Sequence, residues 1–245
     1  MANLPDPHST SAGFGGVSVG AADAAFDAGL RSHMLSIYNY MASAVLVTGV
    51  VALLFARSGL AYQVLAGGGL AAYALMFAPL VFVMVLSFGI NRLQTSTAQM
   101  IYWAYAVVMG LSMASIFLVF TGMSIAQTFF ATAAAFAGLS LYGYTTRRDL
   151  SAFGSFLIMG VVGILVASLI NLFLHSTGLE LAISILGVLI FAGLTAYDTQ
   201  RLKSQYAYVA GTEFEGKAVV LGALSLYLDF VNMFMFLLRF LGNRN

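Results

Sequence analysis

The sequence predicts an all-α, polytopic membrane protein with seven transmembrane helices. Three observations carry that prediction. Of 245 residues, 61% are hydrophobic and only 8% are charged, where a soluble domain carries about 25% charged residues. The apolar residues gather in seven runs, each near the roughly 20 residues that cross a bilayer as a helix. The runs lack the period-two alternation of a membrane barrel, and backbone groups in lipid must satisfy one another, so the runs are helices.

Residues 1–30 are rich in Gly, Ser, Ala and Asp. They lack the basic and apolar regions of a cleaved signal peptide and read as a disordered cytoplasmic tail, with "DAAFDAGLR" forming a short helix at the bilayer. Residues 31–245 then form the transmembrane domain. The expected spans are Met34–Phe55, Ala71–Ile90, Met100–Phe120, Ile125–Tyr144, Phe153–Leu174, Leu181–Tyr197 and Ala218–Leu241. Between them lie helix-stopping or water-preferring breaks: "ARSG", "NRLQTST", "TGMS", "TTRRDLS", "HSTGLE" and the longer "DTQRLKSQYAYVAGTEFEGK".

Basic residues in short loops set orientation. With the N-terminus inside, Arg31, Arg92, Arg147, Arg148, Arg201, Lys203 and Lys217 are cytoplasmic, while Arg57, Arg239 and Arg244 are outside. That bias places the C-terminus outside. A re-entrant last helix, returning the C-terminus inside, satisfies the same charge count.

Composition also excludes. A net charge of +1 leaves no basic footprint for nucleic acid. The absence of cysteine removes disulfides, thiolate metal sites and cysteine nucleophiles. His8, His33 and His175 are too scattered for a metal site and read as surface residues. Lys203 and Lys217 both fall in a loop, so no mid-span lysine exists for a retinal. No phosphate-binding loop, zinc-protease motif or serine-hydrolase elbow is present, and no resident cofactor is implied.

Two acids stand out. Asp229 lies near the centre of the last span, in "LSLYLDFVNMFMFLLRF", and Asp198 ends the sixth, in "FAGLTAYDTQRLK". A charge at mid-membrane costs about 2.5–3.5 kcal/mol on insertion scales, so such a group faces the protein interior, pairs or takes up a proton. Ser225 and Asn232, at i−4 and i+3, share a helix face with Asp229 and form a polar stripe. Blander readings stay open: Asp198 as a solvated loop acid beside Arg201, and Asp229 as a hydrogen-bond anchor for Ser225 or Asn232. Arg239 reads as a snorkelling interface residue, and Glu213 and Glu215 as a solvated acidic loop.

"SLYLDFVNMFMFLLRFLG", "GLTAYDTQRLK", "GLSLYGYTTRRDLS" and "IYNYM" after "GLR" together resemble the Bax inhibitor-1 family in its bacterial branch. The likeness runs from about Asp27 to Gly242. It implies a bundle whose last helix is central, in a multi-pass protein of the bacterial inner membrane. It further implies a pH-sensitive calcium leak, sensed by a hydrogen-bonded aspartate pair at Asp198 and Asp229, with Arg92 as the arginine that latches onto the pair. Some members carry an acid in the second helix, but "AAYALMFAPLVFVMVLSFG" has none.

Two carboxylates held close cannot both ionise cheaply; they share a proton and titrate as a unit. Calcium prefers six to eight oxygens, so the expectation is a transient contact at Asp198 and Asp229, with calcium as the transported ion. Two other classes compete. A non-conducting regulator would bind a membrane-bound protease or a stress-response partner. An intramembrane aspartyl protease would also use "AYD", but its second motif, Gly-x-Gly-Asp, is replaced here by "LYLD".

Overall fold

The computed structural model describes residues 19–245, which form eight helices: α1 (Val19–Arg57), α2 (Leu70–Gly89), α3 (Thr95–Met113), α4 (Ile116–Val119), α5 (Gly122–Thr145), α6 (Ser151–Leu174), α7 (Thr177–Val209) and α8 (Glu215–Leu241). α3 and α4 make one crossing with a break at Ala114–Ser115, so the described residues give seven spans, as the hydropathy predicts. Most of the expected tail, residues 1–18, lies outside the described residues.

Two helices run longer than their hydropathy. Residues 19–30, expected in the tail, are the opening turns of α1. Their sequence is alanine-rich, which favours helix, and Leu30 is buried while Phe26 packs its ring 5.2 Å from that of Tyr206. α7 continues twelve residues past Tyr197 to Val209, through what reads as loop. Asp198, Leu202 and Tyr206 recur at i, i+4 and i+8 and are all buried, so the seam of the span simply extends. Only Ala210–Phe214 then separates α7 from α8.

The connections sort to two ends. At the basic end, Gly216 at the start of α8 abuts the Thr95 side chain at the start of α3. At the opposite end Phe120 pairs with Arg244 in an isolated bridge, and the Thr121 N–H donates to the Asn243 carbonyl at 3.1 Å. α8 therefore runs beside the third crossing from beginning to end. It is one continuous helix, long and apolar enough to cross a membrane.

α8 is the axis of the bundle. It packs against α7, α1, α5 and α3 and contributes buried residues from Val220 to Leu238. α2 leans mainly on α3 and α6 on α7. Both present apolar side chains outward, such as Leu165, Leu169 and Phe173 on α6, as lipid-facing helices do. Lipid offers no hydrophobic drive between helices, so close contact comes through small residues. A Cβ on Gly143 of α5 would lie 2.2 Å from the Ala196 carbonyl oxygen of α7, and one on Gly110 of α3 would lie 2.7 Å from the Thr48 carbonyl oxygen of α1.

One buried polar chain ties three helices. The Thr48 hydroxyl donates to the Ala106 carbonyl at 2.9 Å and lies 2.7 Å from the Tyr227 hydroxyl, which donates in turn to Thr48. Tyr227→Phe removes one donor and leaves Thr48 bonded, so a loss of about 1 kcal/mol is expected in thermal melts. Thr48→Val strands the fully buried Tyr227 hydroxyl and is expected to cost more, roughly 1–3 kcal/mol.

Outside the spans, Asp149, two residues before the start of α6, accepts the Ser151 N–H at 2.8 Å. Hydrogen bonds from Ser151 hold its carboxyl below the usual range. That contribution is complete above the ordinary aspartate pKa and is lost as pH falls through the lowered value. Protection of the amides at the start of α6, taken as the exchange rate relative to the intrinsic rate at each pH, is expected to fall on acidification in wild type, and in Asp149→Ala to be low throughout.

Candidate functional site

The site sits where α7 and α8 cross antiparallel. Packing marks their register: Leu202 meets Gly222, and Phe236 covers Gly187 and stacks on Phe191 at 5.9 Å. Between these contacts α7 brings Asp198 opposite Ser225. The Ser225 hydroxyl donates to Asp198 Oδ2. Arg201, one turn beyond Asp198, reaches Asp198 Oδ1 at 3.5 Å and donates to Ser225 Oγ at 3.3 Å. Its guanidinium also lies 5.8 Å from the centre of the Tyr197 ring. Asp198 is 6% exposed, so it is a core residue and not a solvated loop acid.

Asp229 lies one turn deeper on the same face of α8 as Ser225 and is 4% exposed. Its Oδ2 has no hydrogen-bond partner among the described residues. The charges that bear on it are Asp198, of like sign, and Arg201, of opposite sign. No hydrogen bond joins the two carboxylates directly; Ser225 lies along the face between them and is spoken for by Asp198. Asn232 shares the stripe as expected but turns back on its own helix, donating to the Leu228 carbonyl at 2.8 Å. Behind Asp198, the Thr199 hydroxyl lies 3.4 Å from that of Tyr38, which brings α1 to the cluster.

Arg92 is not at the site. It is exposed in the short turn after α2, three residues before Thr95. Thr95 abuts Gly216, and nine residues of α8, about 14 Å of helix axis, separate that level from Ser225. The arginine beside the carboxylates is Arg201. Its position at i+3 from Asp198 was visible in "YDTQR", but a helix continuing past Tyr197 is needed to turn it onto the same face. Arg92→Gln is therefore expected to leave any pH response in place. Arg201→Gln removes the nearest positive charge and is expected to move the response to higher pH, because ionising either acid becomes harder.

Other titratable residues fall elsewhere. His33, expected at the surface, is buried, with Nδ1 3.9 Å from Glu215 and its ring 5.1 Å from that of Tyr206. Glu215 also accepts the Gly211 N–H at 2.9 Å, which helps close the α7–α8 turn. Arg239 is exposed beside the Phe236 ring at the opposite end. Among the described residues no cluster of three or more His, Asp or Glu side chains could hold a metal ion.

A helical bundle with two carboxylates buried between its last two spans defines a polytopic membrane protein with a titratable core. The chain belongs to the Bax inhibitor-1 family: the family described as "Inhibitor of apoptosis-promoting Bax1" matches residues 30–245. It is 43% identical over 219 residues to the inner membrane protein YbhL of Escherichia coli, covering 89% of this chain and 94% of that one. A Rickettsia prowazekii protein is 46% identical over 220 residues, covering 89% and 92%. A Caulobacter vibrioides protein is 48% identical over 233 residues, covering 90% and 92%.

Proposed function

We propose that the protein is a pH-sensitive calcium leak channel of the bacterial inner membrane, gated by Asp198 and Asp229 and not an enzyme. The observation that supports it best is Asp229 itself, a carboxylate at the middle of the most buried helix with an unpartnered oxygen and a second acid nearby. A scaffold has little need of such a group, since an unsatisfied buried polar atom costs stability. With a proton on the cluster, one negative charge faces Arg201 and the α7–α8 seam stays packed. Without it, two like charges share one low-dielectric site, and repulsion favours separating the helices. The separated seam offers carboxylate and hydroxyl oxygens to a passing cation, too few for a resident calcium ion.

The basic residues of the short loops orient the N-terminus to the cytoplasm and the C-terminus outside, and the E. coli relative's description as an inner membrane protein supports the location. The test is calcium entry into liposomes containing the purified chain, stepped between about pH 5.5 and 8. Entry that exceeds protein-free liposomes and changes with pH is the expected result. No entry at any pH would overturn the leak in favour of a regulator that binds a membrane protease or another membrane protein.

A further inference from the structure

Between α1 and α5 the bundle is not closed. A cleft of about 620 Å³ opens there, with Phe230 of α8 among its lining residues. It runs from Arg31 at the basic end to Val45, fourteen residues along α1, or about 21 Å. That length matches one leaflet: about 15 Å of hydrocarbon plus the headgroup layer. A second cleft of about 610 Å³ shares Val45, Phe129 and Phe230 with the first and extends to Arg57.

The first cleft is polar only near its basic end. Arg31 is exposed there and makes no ion pair among the described residues. Tyr144 lines the same end, with the Lys203 ammonium 4.8 Å from its ring centre and bonded to its carbonyl at 2.9 Å. Asp27 and Asp23, about one and two turns before Arg31, are the acids on that side of α1. One turn deeper than Tyr144, Ser140 lines the cleft, 5% exposed, and its hydroxyl has no hydrogen-bond partner. Beyond Ser140 the walls are Ala, Met, Val and Phe side chains.

We propose that this cleft holds one acyl chain of an anionic phospholipid from the leaflet at the basic end, with the phosphate at Arg31 and an ester carbonyl accepting the Ser140 hydroxyl. The order of groups along the cleft is the order along a phospholipid: a cation, then an orphan donor, then an apolar slot. The acyl chain lies against Phe230, whose neighbour in sequence is Asp229, so the occupant touches the helix that carries the candidate gate. The proposal does not depend on ion conduction.

The test is native mass spectrometry of the full chain in detergent, titrated with phosphatidylglycerol or with phosphatidylcholine of the same acyl chains. One phosphatidylglycerol per chain is expected, retained about fivefold better than phosphatidylcholine for each basic contact. Arg31→Gln, at an exposed position, should reduce that preference about fivefold. Ala137→Phe, also exposed and lining the cleft, should remove both lipids without moving the melting temperature. Equal retention of the two lipids, unaffected by either substitution, would overturn the proposal. So would a dimer that Ala137→Phe dissociates, because a second copy would then be the occupant.

Discussion

Asp229→Asn is expected to give liposomes whose calcium entry no longer responds to pH, held at the rate wild type reaches at its acid limit. Asparagine copies the size of the protonated acid and cannot ionise, so it fixes the cluster in its singly charged form, with Asp198 facing Arg201. A single-proton switch changes by at most about tenfold per pH unit around its midpoint, and that swing is what the substitution should erase. Asp198→Asn should flatten the response as well, but at a different level, because it also leaves Arg201 without its 3.5 Å carboxylate partner. The double variant should be flat at about the level of Asp198→Asn, which likewise leaves Arg201 unpaired, and not at the sum of the two, since residues in one network do not act additively. Wild-type pH dependence preserved in both single variants would remove the aspartates from the gate.

The architecture was largely legible in the sequence because the bilayer imposes a length and a polarity that few other environments do. Seven runs became seven crossings, and the acid in the last run turned out to lie in the most buried helix. The misplaced parts share a cause. Hydropathy marks where a helix meets water, not where it stops, so the polar turns of α7 from Thr199 to Val209 read as loop although Leu202 and Tyr206 keep the seam dry. That error hid Arg201. With α7 ending at Tyr197, Arg201 belongs to solvent; with α7 continuing, it is one turn from Asp198, whereas Arg92 rested on the family resemblance alone. The bond from Thr48 to Tyr227 was not legible at all, because a threonine and a tyrosine in separate apolar runs carry no sign of each other.

Gly143→Ala is expected to be among the most damaging single-methyl additions to this chain. The added Cβ would stand 2.2 Å from the Ala196 carbonyl oxygen and 2.9 Å from its carbon. Both are backbone atoms, so no side chain can swing aside and α5 must move away from α7. Overpacking of this kind costs about 3 kcal/mol at its upper range, and for a chain of this size about 3 kcal/mol lowers the melting temperature by roughly 6–12 °C. Two other glycines of the same bundle make the controls. At Gly29 a Cβ meets the Tyr206 hydroxyl, the far end of a side chain that can shift, and at Gly138 it meets nothing within 4 Å. Gly29→Ala should therefore cost less than Gly143→Ala, and Gly138→Ala should be neutral or stabilising by about 0.5–1 kcal/mol through helix propensity. Ala196 is two residues from Asp198, so a displaced α7 also carries the carboxylate away from Ser225. Gly143→Ala should thus disturb the pH response of calcium entry at temperatures well below its own melting point, while Gly138→Ala leaves that response intact. If Gly143→Ala melted with wild type, α5 and α7 would not be in close contact at Gly143 and Ala196, and the seam that positions Asp198 would have to be held from α8 alone.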